Sequence, residues 1–212
     1  MLIFSQMGVG AMPDQVSLPP AEIRRAGNFE ARDFPVAGPL LVGTRRFGDA
    51  RGYFSETFSR RDFAALGIHD DFVQDNQSLS APQGTVRGLH FQTAPHAQAK
   101  LVRVLRGRVL DVAVDLRVGS PTYGLHVSAE LSAVNGLMLY VPVGFAHGFV
   151  TREPDTEVAY KVTGYYAPDC DGGIAWNDPM LGIDWGVTAD RATLSDKDRR
   201  LPTLSALGPV RF

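Results

Sequence analysis

Lys100-Leu-Val-Arg-Val-Leu-Arg-Gly107-Arg-Val109-Leu-Asp-Val-Ala-Val-Asp-Leu-Arg117 is the stretch on which the fold turns. Two runs rich in valine and leucine flank Gly107. The second alternates strictly, with Asp111, Ala113 and Asp115 on one side and Val112, Val114 and Leu116 on the other. A period of two places successive side chains on opposite faces of a strand. Working outward, similar runs are found at 126–131, 137–143, 149–151 and 157–163, separated by turn signals at Gly119-Ser120-Pro121, Asn135-Gly136 and Glu153-Pro154. Many short strands at this spacing predict an all-β sandwich or barrel.

The flanks read differently. Residues 1–38 show no sustained period, are punctuated by Pro13, Pro19, Pro20 and Pro35, and read as an N-terminal extension. Met1 to Met12 is mildly apolar without the basic start of a signal peptide, and reads as a loose leader or as an upstream start preceding the working protein. A single domain is expected over 39–212, opening with a strand at Pro39-Leu40-Leu41-Val42. One short helix is predicted over 59–66. Ser59 is its N-cap, Asp62 completes a capping box, Phe58 and Phe63 form a hydrophobic staple, and Gly67 ends it. Ser195 and Asp198 predict a second short helix near 195–201.

Composition narrows the function. The chain has 212 residues and a formal net charge of -2. It lacks the basic excess that attracts nucleic acid or membrane surfaces, and no apolar run is long enough to span a bilayer. Cys170 is the one cysteine, so no intramolecular disulfide forms, which fits the cytoplasm.

Two motifs carry chemistry. Pro142-x-Gly144-x-x-His147 resembles the second cupin motif, a turn that presents a histidine into a small β-barrel. Gly84, followed by His90, resembles the start of the first. Metal-binding cupins place a second histidine where this chain has Gln92, and a glutamate in the region where it has Lys100. An ammonium is a poor neighbour for a divalent ion, so the barrel reads as metal-free. Gln74, Asn76 and Ser78 share one strand face, as do His90 and Gln92. A polar interior of this kind is costly unless it binds something polar.

From Arg46 to Pro202 the chain resembles the dTDP-4-dehydrorhamnose 3,5-epimerase family, whose fold is a cupin-like jelly-roll barrel. The matching stretches are Asp49-Ala-Arg51-Gly-Tyr-Phe-Ser-Glu56, Gln74-Asp75-Asn76, Arg87-Gly-Leu-His90-Phe-Gln92, Lys100-Leu-Val-Arg103, Asp111 to Arg117, Ser120-Pro-Thr122, Pro142 to Phe149, Tyr160-Lys161, Tyr165-Tyr166, Trp176-Asn-Asp-Pro179, and Leu194-Ser195 with Lys197-Asp198. The resemblance implies an isomerase that inverts C3 and C5 of dTDP-4-dehydro-6-deoxy-D-glucose. It makes His90 the base, Asp198 its orienting carboxylate, Tyr160 the acid on the opposite face and Lys100 the stabiliser of the enolate. Arg51, Arg87 and Lys197 would hold the diphosphate, with Glu56, Gln74, Asp75, Asn76, His147 and Asp171 at substrate-contact positions. Asp171 stands where the family commonly has glutamate. The resemblance further implies a homodimer and no cofactor or metal. No Gly-rich dinucleotide fingerprint follows a strand.

The alternatives are an epimerase acting at C3 or C5 alone, and a non-catalytic cupin that binds a nucleotide sugar. Taken singly, each residue also has a quieter reading. His90 can be a hydrogen-bonded core histidine, Asp198 the acid of a helix cap, and Tyr160 a packing aromatic.

Overall fold

At Gly107 the chain leaves one sheet and enters another. The computed structural model describes residues 23–212; the expected leader lies outside the described residues. In chain order the first strands are β1 (Ile23–Ala26), β2 (Phe29–Asp33), β3 (Leu40–Thr44), β4 (Arg46–Asp49), β5 (Gly52–Ser55), β6 (Gln74–Ser80) and β7 (Val86–Gln92). They are followed by β8 (Lys100–Arg106), β9 (Arg108–Asp115), β10 (His126–Ser132), β11 (Met138–Val141), β12 (Phe145–Thr151), β13 (Thr156–Val162) and β14 (Asp171–Gly173). A seven-stranded antiparallel sheet runs β1-β2-β3-β11-β8-β13-β6, and a five-stranded one runs β10-β9-β12-β7-β14. The pair β4–β5 stands apart as a two-stranded hairpin. This is the jelly-roll architecture expected of the sequence.

The corner between β8 and β9 requires a glycine. Gly107 has φ +77°, and a Cβ there would stand 2.4 Å from Thr156 Oγ1. Strict alternation along β9 then separates two buried faces rather than a wet and a dry one. Val112, Val114 and Leu116 face a cluster with Trp176, Leu181 and Trp185 from the C-terminal segment. Val109 and Ala113 face the space between the sheets, with Val102, Val104 and Val158 of the opposite sheet. A third cluster, containing Phe29, Val42, Leu101 and Met138, lies on the outer face of the seven-stranded sheet.

That third cluster is covered by α1 (Arg60–Ala65). The staple forms as the sequence predicts, with the Phe58 and Phe63 rings 5.0 Å apart, and Ser59 Oγ accepts from the Asp62 N–H. The expected tail helix is shorter than predicted. Asp198–Arg200 makes one 3-10 turn, because Leu201 turns extended before Pro202. A further short helix, α2 (Leu204–Leu207), follows. The sheet also starts before the expected boundary at residue 39. β1 and β2 join it from within the supposed extension, and Phe29 and Ala31 are fully buried.

Candidate active site

β7 sets the geometry of the interior. Its pairing with β12 joins His90 to His147 and Arg87 to Phe149, so three residues on β7 match two on β12. This bulge brings Arg87 and His90 to the same face, although strict alternation would separate them. It also needs glycine: Gly88 has φ +123°, and a Cβ there would lie 2.6 Å from the Gly148 Cα. The face they share looks across to β8, β13 and β6.

His90 Nε2 meets Asp198 Oδ1 at 2.5 Å. Facing a carboxylate, Nε2 carries the proton and Nδ1 keeps the lone pair. The other carboxylate oxygen, Oδ2, accepts from Ser195 Oγ at 2.9 Å, while Ser195 Oγ accepts from the Asp198 N–H. One residue thus closes a turn and orients a histidine. Burial alone would raise the Asp198 pKa; the bonds from His90 and Ser195, with Lys197 nearby, hold it below the ordinary carboxylate value.

Lys100 crosses from the other sheet, and its Nζ donates to the His90 carbonyl oxygen at 3.3 Å. Burial drives its pKa down to about 8, against the pull of Asp111 and Asp171 and helped by Lys197. Tyr160 lies on β13, opposite Val102 and Asn76. Burial raises its pKa, with the nearby Arg87 guanidinium opposing. A phenol on one sheet and an imidazole on the other thus line the same interior, with an ammonium bonded to the His90 carbonyl oxygen. This arrangement can take a proton from one side of a molecule, return one to the other, and stabilise an oxyanion.

The model of the dTDP-4-dehydrorhamnose 3,5-epimerase family matches residues 33–206. The chain belongs to the dTDP-4-dehydrorhamnose 3,5-epimerase family. An enzyme of that name from Sinorhizobium fredii is 54% identical over 177 residues, 84% of this chain and 90% of the relative. The structure of such an epimerase from Bacillus anthracis, with TDP and PPi bound, is similar at TM-score 0.80 and 48% identity, covering 83% of this chain and 99% of that one. A dTDP-6-deoxy-D-glucose-3,5-epimerase from Legionella pneumophila, in complex with dTDP-4-keto-L-rhamnose, is similar at TM-score 0.80 and 41% identity, covering 87% and 98%.

Within this epimerase fold, the residues expected from the sequence divide into four groups. His90, Asp198, Lys100, Tyr160 and His147 converge on the interior, Arg87 is exposed at its rim and donates to Ser80 Oγ at 3.1 Å and the Leu79 carbonyl oxygen at 3.0 Å, and the Gln74 amide donates to Asn76 Oδ1 on the same strand at 2.8 Å. Asp171 and Lys197 pair with each other beside them, and the Tyr166 hydroxyl donates to Asp171 at 3.2 Å. The shorter acid thus still reaches a cation. Arg51 and Glu56 are not joined to this cluster. Arg51 pairs with Asp49 on the β4–β5 hairpin with its side chain 90% exposed, and Glu56 accepts from the Asn28 amide.

Asp75 is a correction. It neighbours Gln74 and Asn76 in sequence, so it points to the other face of β6, where it pairs with Lys161 at 2.9 Å. Gln92 does not present a free amide to the interior either. It donates to the His96 and Tyr165 carbonyl oxygens and accepts from the Ala167 N–H, clamping two loops together. The sequence reading gave no role to Asp111, whose Oδ1 lies 2.8 Å from His147 Nε2. Its signal was present in the alternation of β9, where an acid shares a face with Ala113.

Proposed function

We infer that this epimerase inverts C3 and C5 of dTDP-4-dehydro-6-deoxy-D-glucose, giving dTDP-4-dehydro-L-rhamnose. The observation that carries the reading is the His90–Asp198 pair on one sheet and Tyr160 on the inner face of the other, with Lys100 bonded to the His90 backbone. The ketone at C4 acidifies the hydrogens on C3 and C5. His90 Nδ1 takes such a proton, and Asp198 stabilises the imidazolium that results. Negative charge moves to the C4 oxygen, where the Lys100 ammonium meets it. Tyr160, kept neutral by burial, returns a proton to the opposite side of the ring. Arg87 and Lys197 supply the cations for the diphosphate.

The working assembly we propose is a homodimer in the cytoplasm. The hairpin that carries Arg51 also exposes Phe47, Tyr53 and Phe54, an apolar surface suited to cover by a second copy. Among the described residues, no helix is long and apolar enough to cross a membrane. Light scattering at twice the monomer mass checks the dimer.

The decisive assay incubates the protein with dTDP-4-keto-6-deoxyglucose in D2O and follows C3 and C5 by NMR. Deuterium and inversion at both carbons are expected. Exchange at one carbon alone would make it a mono-epimerase, and no exchange at all would make it a binding protein.

A further inference from the structure

Asp111 is fully buried on β9. Its Oδ1 is bonded to His147 Nε2, and its Oδ2 is buried with no hydrogen-bond partner among the described residues. Its cross-strand neighbours Ala129 and Phe149 carry no charge. A carboxylate left half-satisfied in such a place is unfavourable unless a nearby charge compensates it. The interior offers that charge on the opposite sheet, in Lys100. The strands flanking Lys100 set Val141 and Val162 beside it, so its direct cross-strand neighbours carry no charge. The charged groups that act on it are Asp111 from β9, Asp171 from β14 and Lys197 from the segment before the last turn. His90 contributes a carbonyl oxygen, and Tyr160 lies further along β13.

We propose that Asp111 is a positioning residue for the epimerisation: it fixes the His147 ring through Nε2 and supplies the negative charge that keeps Lys100 an ammonium inside the barrel. This rests on the reading that Lys100 works as a cation at the C4 oxygen. His147 held by Nε2–H presents Nδ1 as a hydrogen-bond acceptor, and the two effects share one carboxylate. Loss of Asp111 therefore acts on the opposite wall of the site as well as on its own.

The test is Asp111→Asn, which keeps the volume and removes the charge. The chain has three lysines, Lys100, Lys161 and Lys197, so 13Cε-lysine NMR resolves each titration without substrate. Lys100 should titrate near 8 in the native enzyme. In Asp111→Asn its midpoint should fall by about one pH unit, the effect of losing a nearby opposite charge. The basic limb of kcat/KM should move with it, and kcat at neutral pH should fall by ~10-fold or more, as when an orienting partner behind a histidine is lost.

His147→Gln serves as the second variant. It keeps the Asp111 charge, so the Lys100 midpoint should stay near its native value. The native His147 should show the Nε2–H tautomer by 15N NMR. An unmoved Lys100 midpoint in Asp111→Asn, a midpoint that falls in His147→Gln, or an Nδ1–H tautomer overturns the proposal. These readouts need no turnover. A native protein that fails to epimerise would overturn the functional reading instead, while the lysine titration still decides the role of Asp111.

Discussion

The interior holds two histidine–carboxylate pairs, built alike and exposed differently. His90 and His147 are cross-strand partners, and each meets an aspartate through Nε2. Asp111 comes from the strand next to His147, so that pair belongs to the sheet itself. Asp198 comes from a turn 108 residues beyond His90, so the other pair closes only when the C-terminal segment docks. The His90 side chain remains 29% exposed, whereas that of His147 is 8% exposed. A group that must exchange protons with substrate and solvent needs access, and a group that holds a ligand in place does not. The difference agrees with the proposed function, in which His90 is the base and His147 supports.

The largest expected effect separates the two. His90→Ala should lower kcat by ~10²–10⁴, the range for losing a general base. His147→Ala should act more on KM and less on kcat. Equal losses in kcat would erase the distinction, and near-normal turnover in His90→Ala would move the base elsewhere. Asp198→Asn should fall between them, because the imidazole stays in place but loses the carboxylate that stabilises its cation.

Lys100 links the two pairs and comes next. Lys100→Met should reduce kcat by ~10²–10³, as when a donor to a developing oxyanion is removed. The sign of the pH dependence follows from burial. The folded pKa is lowered to about 8, so the active ammonium is present below that pH and lost above it. The native kcat/KM should therefore decline as pH rises through 8. A profile flat to pH 10 would remove the cation from the mechanism.

How much of this was legible in the sequence depended on whether a signal was local. Helix α1 was readable because its cap, staple and terminal glycine fall within ten residues, and the strands around Gly107 because alternation is a neighbour property. The bulge in β7 was not, since nothing in Arg87-Gly-Leu-His90 states that three residues will face two. β1 and β2 were passed over, although Gly27-Asn28 between them is a two-residue hairpin loop. Their four and five residues are too short to show a period. Asp75 was grouped with Gln74 and Asn76 by motif, whereas strand geometry sends it to the outer face. The His90–Asp198 contact is invisible to any local reading. It came from the family resemblance, and the same is true of the convergence of Tyr160 and Lys100.

Tyr160→Phe tests whether the wall facing the two pairs takes part in proton transfer. His90 still removes the proton, and can return a solvent-derived one to the side it came from. The variant should exchange deuterium into the sugar while forming little inverted product. A tyrosine that merely packs would instead leave inversion near the native level, or lower exchange and inversion together. Full epimerisation by Tyr160→Phe would make Tyr165 or Tyr166 the next candidates for the acid.

The smallest expected effect is that of chelation. His90 and His147 occupy the positions from which metal-binding cupins present their histidines, and direct cross-strand pairing sets the two side by side. A divalent ion between them would need lone pairs from both, together with further oxygen or nitrogen donors. Each Nε2 is instead committed to its own aspartate. The residue two beyond His90 is Gln92, whose amide is occupied by three backbone groups. Lys100 reaches the His90 carbonyl and would repel a cation at close range. Exhaustive dialysis against EDTA should therefore leave kcat and KM unchanged, and added zinc should not raise turnover. Activity lost to the chelator and restored by a divalent ion would show that the two histidines act as one centre, and would end the distinction between a base pair and a supporting pair.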